Sequence, residues 1–288
     1  MRTLLPTRSA HNQTDNPLHI LRRRRADALI MQFLLVVLAL WWLFPLFTVI
    51  RQSLQAGGFG NYTAVLTKSL NGVYLPRTLV NSFAISLLHA LFVCTAGSLA
   101  GYAFSRLRFA GRETLYYLVL AFLAVPATAV IVPVYFITGK LGLFNTYIGV
   151  ALAEAALTLP FAVLLMRNYA DGISDAFFDA ASIDGAGSLR KFWTIFVPLA
   201  RPTLINLGTL CVMWSFQDFL FPSMVLTRPS LTTAAQAVQT IRGAFAATPQ
   251  QTSEFFAALV VLAVPAVILV VVGLRWMTHG LTAGGSKE

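Results

Sequence analysis

The sequence contains few charged residues. Only 11% of its 288 residues are Asp, Glu, Lys or Arg, whereas about a quarter of an ordinary soluble domain is charged. Hydrophobic residues make up 57% of the chain and the mean hydropathy is +0.71. A water-facing globule of this length cannot bury that much apolar side chain. The composition therefore excludes a disordered chain and indicates that lipid surrounds much of the protein.

The sequence is also poor in the motifs of enzymes. Cys94 and Cys211, its two cysteines, lie in apolar stretches, so neither a disulfide framework nor a cysteine-rich zinc site is available. The G-x-x-x-x-G-K-[ST] phosphate loop and the H-E-x-x-H and G-x-S-x-G patterns are absent. Glu154 and Asp218 could pair in an intramembrane aspartyl hydrolase, but neither stands in a recognisable catalytic surround. We expect no enzyme activity and no metal or cofactor in this chain.

Positive charge exceeds negative charge, with a net charge of +10. In a soluble protein this excess would suggest a nucleic-acid partner, but no aromatic stacking module accompanies the basic cluster of arginines 22–25. The cluster directly precedes the apolar stretch 29–50, where arginines hold anionic headgroups. That stretch is longer than the roughly 7–15 apolar residues of a cleavable signal peptide. We therefore predict a retained membrane span and no nucleic-acid partner.

Six apolar segments are long enough to cross a bilayer, which requires about 20 residues of helix. Their uncharged runs lack the alternation of a β-barrel. The predicted fold is an all-α membrane protein with six transmembrane helices, at residues 29–50, 78–105, 115–138, 145–166, 203–226 and 255–276.

The distribution of basic residues predicts the orientation. With both termini in the cytoplasm, 15 of the 21 Lys and Arg residues lie on the inner side, as the positive-inside rule favours. The chain then divides into a flexible basic cytoplasmic tail at 1–28, a six-span membrane domain at 29–276 and a short cytoplasmic tail at 277–288. The domain includes a long inner loop at 167–202.

This inner loop contains signals for two helices. Ser174 can cap a short helix over 175–183, and Asp184-Gly185 can end it, because glycine adopts the left-handed conformation cheaply. Ser188 can cap a second, interfacial helix. Its apolar face consists of Phe192, Ile195, Phe196 and Leu199. Pro198 and Pro202 limit the continuation of this helix. By these residues alone, the loop could lie on lipid headgroups or fit a groove on another protein.

The same loop resembles a known motif. The run 179–187, followed by Phe192 and Pro198, is similar to the EAA loop of permease subunits in binding-protein-dependent ATP-binding-cassette (ABC) importers, with Asp179 where that family commonly has Glu. The resemblance implies a coupling helix that sits in a cleft of the ATPase subunit. It implies that role for Asp179, Ala180, Ala181, Ser182, Asp184, Gly185, Ala186, Gly187, Phe192 and Pro198.

Further segments resemble the short, six-span permease of maltose-type carbohydrate importers. They are Asn81-Ser82, the run 100–111, Pro126 and Pro133, the run 141–147 and the run 214–222. The resemblance implies a bacterial inner-membrane protein in a complex with a second homologous permease, two ABC ATPase subunits and an extracytoplasmic solute-binding protein or lipoprotein. ATP and magnesium would then be used by the ATPase subunits. Disaccharide, oligosaccharide and glycerol-phosphate solutes all fit this pattern.

Polar residues inside the spans are candidates for the translocation pathway. An acid at a helix centre costs on the order of 2.5–3.5 kcal/mol unless it meets a partner or water. For Asp218, with Trp214 and Gln217 nearby in sequence, a pathway role competes with a polar clamp between helices. For Asn81 and Ser82 the two alternatives are a pathway role and a helix-capping role.

Other polar and small residues favour structural roles. Glu154 and His89 are better explained as hydrogen-bonded packing residues, since the spans offer no metal ligand set. Gly97 and Gly101 form a G-x-x-x-G pair that allows two helices to approach closely, within this chain or between subunits.

The runner-up function is a self-contained ion-coupled carrier or channel, which would use intramembrane charges. Two acids and one histidine offer little for ion coupling. We therefore predict a passive permease driven by a partner ATPase through alternating access.

Overall fold

The computed structural model describes residues 25–70, 72–242 and 248–284. Throughout this part of the chain the regular structure is helical. The α-helices are α1 (Arg25–Ser53), α2 (Gly60–Thr67), α3 (Leu75–Arg106), α4 (Arg112–Ala121), α5 (Ala127–Lys140), α6 (Tyr147–Asp171), α7 (Asp175–Ile183), α8 (Ser188–Lys191), α9 (Val197–Gln217), α10 (Leu220–Val225), α11 (Ala234–Arg242) and α12 (Pro249–Gly284).

The chain separates into two compact units, Met1–Thr48 and Val49–Glu288. The described part of the first unit is most of α1, which is apolar around its whole circumference, as expected of a helix that crosses a bilayer. In the second unit α3 packs chiefly against α6 and α9, while α12 packs on α9 and α2.

Five helices are long and apolar enough to span a membrane, and a bent pair makes a sixth. The prediction of a continuous third span over 115–138 is wrong. Arg112–Ala124 and Ala127–Lys140 meet at 109°, because Pro126 disfavours helical backbone at the preceding residue, and Val125 is extended. The fifth predicted span, 203–226, is also divided, since α9 ends at Gln217 and Asp218 is extended.

The predicted second loop helix differs from the structure. Ser188 is not its cap, because Gly187 holds that position without a side-chain bond. The prediction that Pro198 and Pro202 limit this helix is also wrong, since the helical run continues from Ser188 to Gln217. A π-turn over Phe192–Phe196 leads directly into α9, and Pro198 is the second residue of α9.

The predicted terminal tails are only partly described. Residues 1–24 and 285–288 lie outside the described residues. The stretch 277–284 continues α12 as helix.

Candidate functional site

The helix α7 has ends that its own sequence specifies. The Ser174 hydroxyl accepts from the Ala176 N–H at 3.4 Å, and Gly185 has a φ of 75°. At the other end the Gly185 N–H bonds to Ser182 O at 3.0 Å and the Ala186 N–H bonds to Ala181 O at 2.8 Å. This pair of bonds is the Schellman motif. The predicted helix over 175–183 and its glycine stop are confirmed.

One side of α7 is fixed to the end of α3. Phe178 is buried, and the Arg106 guanidinium lies 4.3 Å from the centroid of its ring. Arg106 also forms an ion pair with Asp175 and donates to the carbonyls of Ala170 and Ile173. A planar guanidinium can satisfy several acceptors at once, so this side chain holds both the start of α7 and the turn before it.

The end of α7 is fixed to the helix that follows. Lys191 donates to the Ser182 hydroxyl, and the Tyr102 hydroxyl donates to Ser188 O at 3.1 Å. The ring of Tyr102 also lies 5.3 Å from that of Phe192. These contacts tie α7, α8 and the end of α3 into one packed element.

The opposite side of α7 is exposed. Phe177 is 56% exposed and Ile183 is 88% exposed. Of the predicted coupling residues, those on the surface are Asp179, Ala180, Ser182, Asp184, Gly185, Gly187 and Pro198, while Ala181 and Ala186 are half-buried. Phe192 is buried in the core, so a direct contact of Phe192 with another protein is excluded in this structure. Its place beside Tyr102 supports α7 from within.

Sequence reasoning did not identify the polar residues that join the ends of α3, α4, α6 and α7. Besides Arg106, Arg167 bonds both carboxylate oxygens of Glu113, at 2.8 and 2.9 Å, and its guanidinium lies 3.9 Å from the Tyr116 ring. The Ser105 hydroxyl donates to Asp171 at 2.5 Å. In the sequence these charged residues stand at the ends of apolar segments, and that position is the signal that could have identified them.

A second feature is a cavity of about 240 Å³ between α3, α6, α9 and α10. Three predicted pathway residues line it, namely Trp214, Gln217 and Asp218, and so do His89 and Glu154. Trp214 and Gln217 are exposed, whereas Glu154 is only 4% exposed. The cavity therefore has polar groups at its wall and an accessible side.

Two of these polar groups are satisfied by the protein. His89 Nδ1 lies 3.2 Å from Cys211 O and Nε2 lies 2.8 Å from the Thr158 hydroxyl, which confirms the prediction of a buried, hydrogen-bonded histidine. Asp218 accepts from the N–H groups of Leu220 and Phe221 at 2.9 and 3.3 Å. It thus holds the start of α10 by a charge-assisted contact.

Asn81 and Ser82 lie apart from the cavity. Asn81 donates to the carbonyls of Ser230 and Thr232 and accepts from the Tyr147 hydroxyl. The Ser82 hydroxyl accepts from the Ala234 N–H at 2.8 Å. Both side chains are buried and hold the segment before α11, which corresponds to the capping alternative.

Gly97 and Gly101 lie where α3 meets α6. A Cβ at Gly97 would be 2.6 Å from that of Ala162, and one at Gly101 would be 2.6 Å from that of Met166. The pair therefore permits close packing of two helices of this chain.

The amino-acid sequence is similar to a known protein family and to several permeases. Residues 94–281 match the family described as the binding-protein-dependent transport system inner membrane component. The inner membrane ABC transporter permease protein YcjP of Escherichia coli (strain K12) is 33% identical over 210 residues, which are 72% of this chain and 73% of the relative. The trehalose/maltose transport system permease protein MalG of Thermococcus litoralis is 30% identical over 79% of this chain and 80% of its own length.

Solved structures share the fold. A bacterial ABC transporter involved in the import of the acidic polysaccharide alginate contains a chain that superposes with a TM-score of 0.69 at 21% identity, covering 88% of this chain and 98% of that one. A chain in a bacterial alginate ABC transporter in complex with an alginate pentasaccharide-bound periplasmic protein gives 0.67 at 15% identity, covering 86% and 93%.

Proposed function

The chain belongs to the family of binding-protein-dependent transport system inner membrane components, and on this premise we propose that it forms one half of the pathway of an ATP-driven sugar importer. The relatives include a permease named for trehalose and maltose. A second, homologous permease would form the other half, and an extracytoplasmic binding protein would deliver the solute. Both termini would lie in the cytoplasm, as the positions of the basic residues favour.

The observation that carries the coupling part of this proposal is the construction of α7. Its inner side is packed through Phe178 and Arg106, while Phe177 and Ile183 are left exposed beside the small Ala180. An apolar face on a rigidly held helix suits a groove on a partner protein better than a flexible loop would, because little conformational entropy is lost on docking. The partner we propose is the ATPase subunit.

The mechanism would be alternating access driven from outside the chain. ATP and magnesium would bind to the two ATPase subunits, and their closure would displace α7 together with the end of α3, to which Arg106 and Tyr102 fix it. The movement would shift the cavity between inward-facing and outward-facing states, and hydrolysis would reset it. Such a change is a shift between two packed states biased by differential binding.

Site-specific photo-crosslinking in the assembled complex tests the coupling role. A photoreactive amino acid at Phe177, which is 56% exposed, is compared with the same amino acid at Phe59, which is 80% exposed. Phe59 lies between the first two predicted spans, and with both termini in the cytoplasm this connection is on the outer side. We expect a crosslink to the ATPase subunit from position 177 alone. A crosslink from position 59, or none from position 177, would contradict the proposal.

Transport by reconstituted vesicles tests the importer itself. We expect solute uptake to require the second permease, the ATPase and ATP. If this chain alone accumulates solute, a self-contained carrier is the correct function.

A further inference from the structure

A second, more polar cavity lies beside α7. Its volume is about 620 Å³, far more than the roughly 30 Å³ that one water molecule occupies, so a ligand of several atoms fits. The end of α3 and the connection after it form one side of the wall, and α7 and α8 form the other. The charged residues of this wall are Arg106, Arg108, Arg112, Lys191, Asp175 and Asp179.

Three cations of this wall have donors to spare. The Arg108 guanidinium is exposed, and no hydrogen bond or ion pair within the described residues involves it. Lys191 Nζ donates to the Ser182 hydroxyl, which is a neutral group. Arg106 is occupied by an acid and two carbonyls, yet its buried Nε–H has no acceptor among the described residues. A ligand with several acceptor oxygens would satisfy these donors.

The acids nearby do not cancel the positive charge. With four cations and two acids, the wall carries a net charge of +2. Asp175 is already held in an ion pair, and Glu113, outside the wall, is shared between Arg112 and Arg167. Asp179 is exposed and opposes an anion only in part. Phosphate suits this wall, because guanidinium and ammonium groups bind its oxygens by charge-assisted hydrogen bonds.

The cavity lies where two membrane spans end. Arg106 is the last residue of the span Leu75–Arg106, and Ser188 is the first residue of the helical run Ser188–Gln217, which also qualifies as a span. Both residues line the cavity. Trp193, two positions after Lys191, is 59% exposed, and tryptophan favours the membrane–water interface. The cavity is therefore at the level of the lipid headgroups.

We propose that this cavity binds the phosphate group of an anionic phospholipid, with Arg108 and Lys191 as its main contacts. Phosphate dissolved in water has the same chemistry, but a lipid holds its phosphate at the level of the cavity, and basic pockets between spans on the cytoplasmic side are typical sites for anionic headgroups. Phe109, which is 41% exposed, offers apolar surface to an acyl chain. The bound headgroup joins the end of α3 to α8, the two elements that hold α7. This site is separate from the translocation pathway and does not depend on the importer function.

Native mass spectrometry of the assembled complex, after removal of lipid, counts the lipids that bind. Dioleoylphosphatidylglycerol is titrated in, and dioleoylphosphatidylcholine, which has the same phosphate without a net charge, is titrated in parallel. Each cation near an anionic headgroup contributes about fivefold to binding. Arg108→Gln should therefore weaken one phosphatidylglycerol site about fivefold, and Arg108→Gln/Lys191→Gln should weaken it about 25-fold. The double variant should thus bind one phosphatidylglycerol fewer than the wild type, with the same amount of phosphatidylcholine.

A matched double variant controls for net charge. Arg190→Gln/Arg201→Gln also removes two exposed positive charges, but from outside the cavity wall. It should keep the tightly bound phosphatidylglycerol. Equal losses in the two double variants would show general attraction to a basic surface, and an unchanged count in Arg108→Gln/Lys191→Gln would show that the cavity holds no such lipid. Either result would overturn the inference.

Thermal unfolding of the same complexes identifies the source of the phosphate. We expect phosphatidylglycerol to raise the unfolding midpoint of the wild type more than that of Arg108→Gln/Lys191→Gln, and millimolar inorganic phosphate to raise neither. A rise with inorganic phosphate that the double variant loses would assign the site to soluble phosphate and overturn the lipid. Dissociation of the ATPase subunit from the double variant, with an unchanged lipid count, would assign the cavity to an acidic surface of that protein instead.

Discussion

Replacing Gly185 by valine should uncouple the transporter without preventing its insertion. Gly185 ends α7 with a φ of 75°, a conformation that costs a residue with a Cβ roughly 1–2 kcal/mol. A Cβ there would meet nothing within 4 Å, so the penalty is one of backbone conformation rather than of collision. A penalty of this size lowers the ratio of the native turn to alternative conformations by a factor of about 5–30.

A matched control lies two residues away. Gly187 is also exposed and also has open space where a Cβ would be added, but its φ of −70° and ψ of 168° are extended, which valine adopts readily. Gly187→Val therefore adds the same side chain without the backbone penalty. Gly185→Asn should be intermediate, because asparagine tolerates the left-handed region better than other residues do.

The assay is solute-stimulated ATPase activity of the reconstituted complex, with the amount of assembled complex measured in parallel. We expect stimulation to fall by up to about 5–30-fold in Gly185→Val and to fall less in both Gly185→Asn and Gly187→Val, which avoid most of the backbone penalty. Equal activity in the Gly185→Val and Gly187→Val complexes would refute the reasoning that the left-handed turn holds α7 in its docking position.

Two further predictions concern stability, measured as the thermal unfolding midpoint of the purified complex. Gly101→Ala should destabilise the chain by about 1–3 kcal/mol, because its Cβ would lie 2.7 Å from the backbone nitrogen of Arg167. Gly208→Ala, whose Cβ would meet a single neighbour at 3.6 Å, should have little effect. Equal unfolding midpoints for Gly101→Ala and Gly208→Ala would contradict the close-packing explanation. Arg106→Lys should lower the free energy of unfolding by about 2–3 kcal/mol, since lysine lacks the planar guanidinium that reaches two carbonyls and an acid. Asp175→Asn should cost less than about 1 kcal/mol because Asp175 is 82% exposed, and the reverse order would show that the ion pair dominates.

Features encoded by neighbouring residues could be predicted. The length of each apolar run is a property of consecutive residues, so most spans were located correctly. The bounds of α7 depend on Ser174 and Gly185, each of which acts on backbone groups within a few positions. The divided third span was missed because the consequence of Pro126 for helix direction depends on what the two segments pack against.

Contacts between distant residues required the tertiary structure. His89, Glu154 and Asp218 come from three separate helical regions and meet at one cavity, a result of how α3, α6 and α9 are rotated and aligned. The same packing directs Asn81 toward the carbonyl of Ser230 rather than into the cavity. The amino-acid sequence by itself determined which segments are helical and enter the membrane, because hydropathy and helix capping act locally. Only the tertiary structure decided which polar side chains are paired with one another, because those outcomes depend on residues more than sixty positions apart.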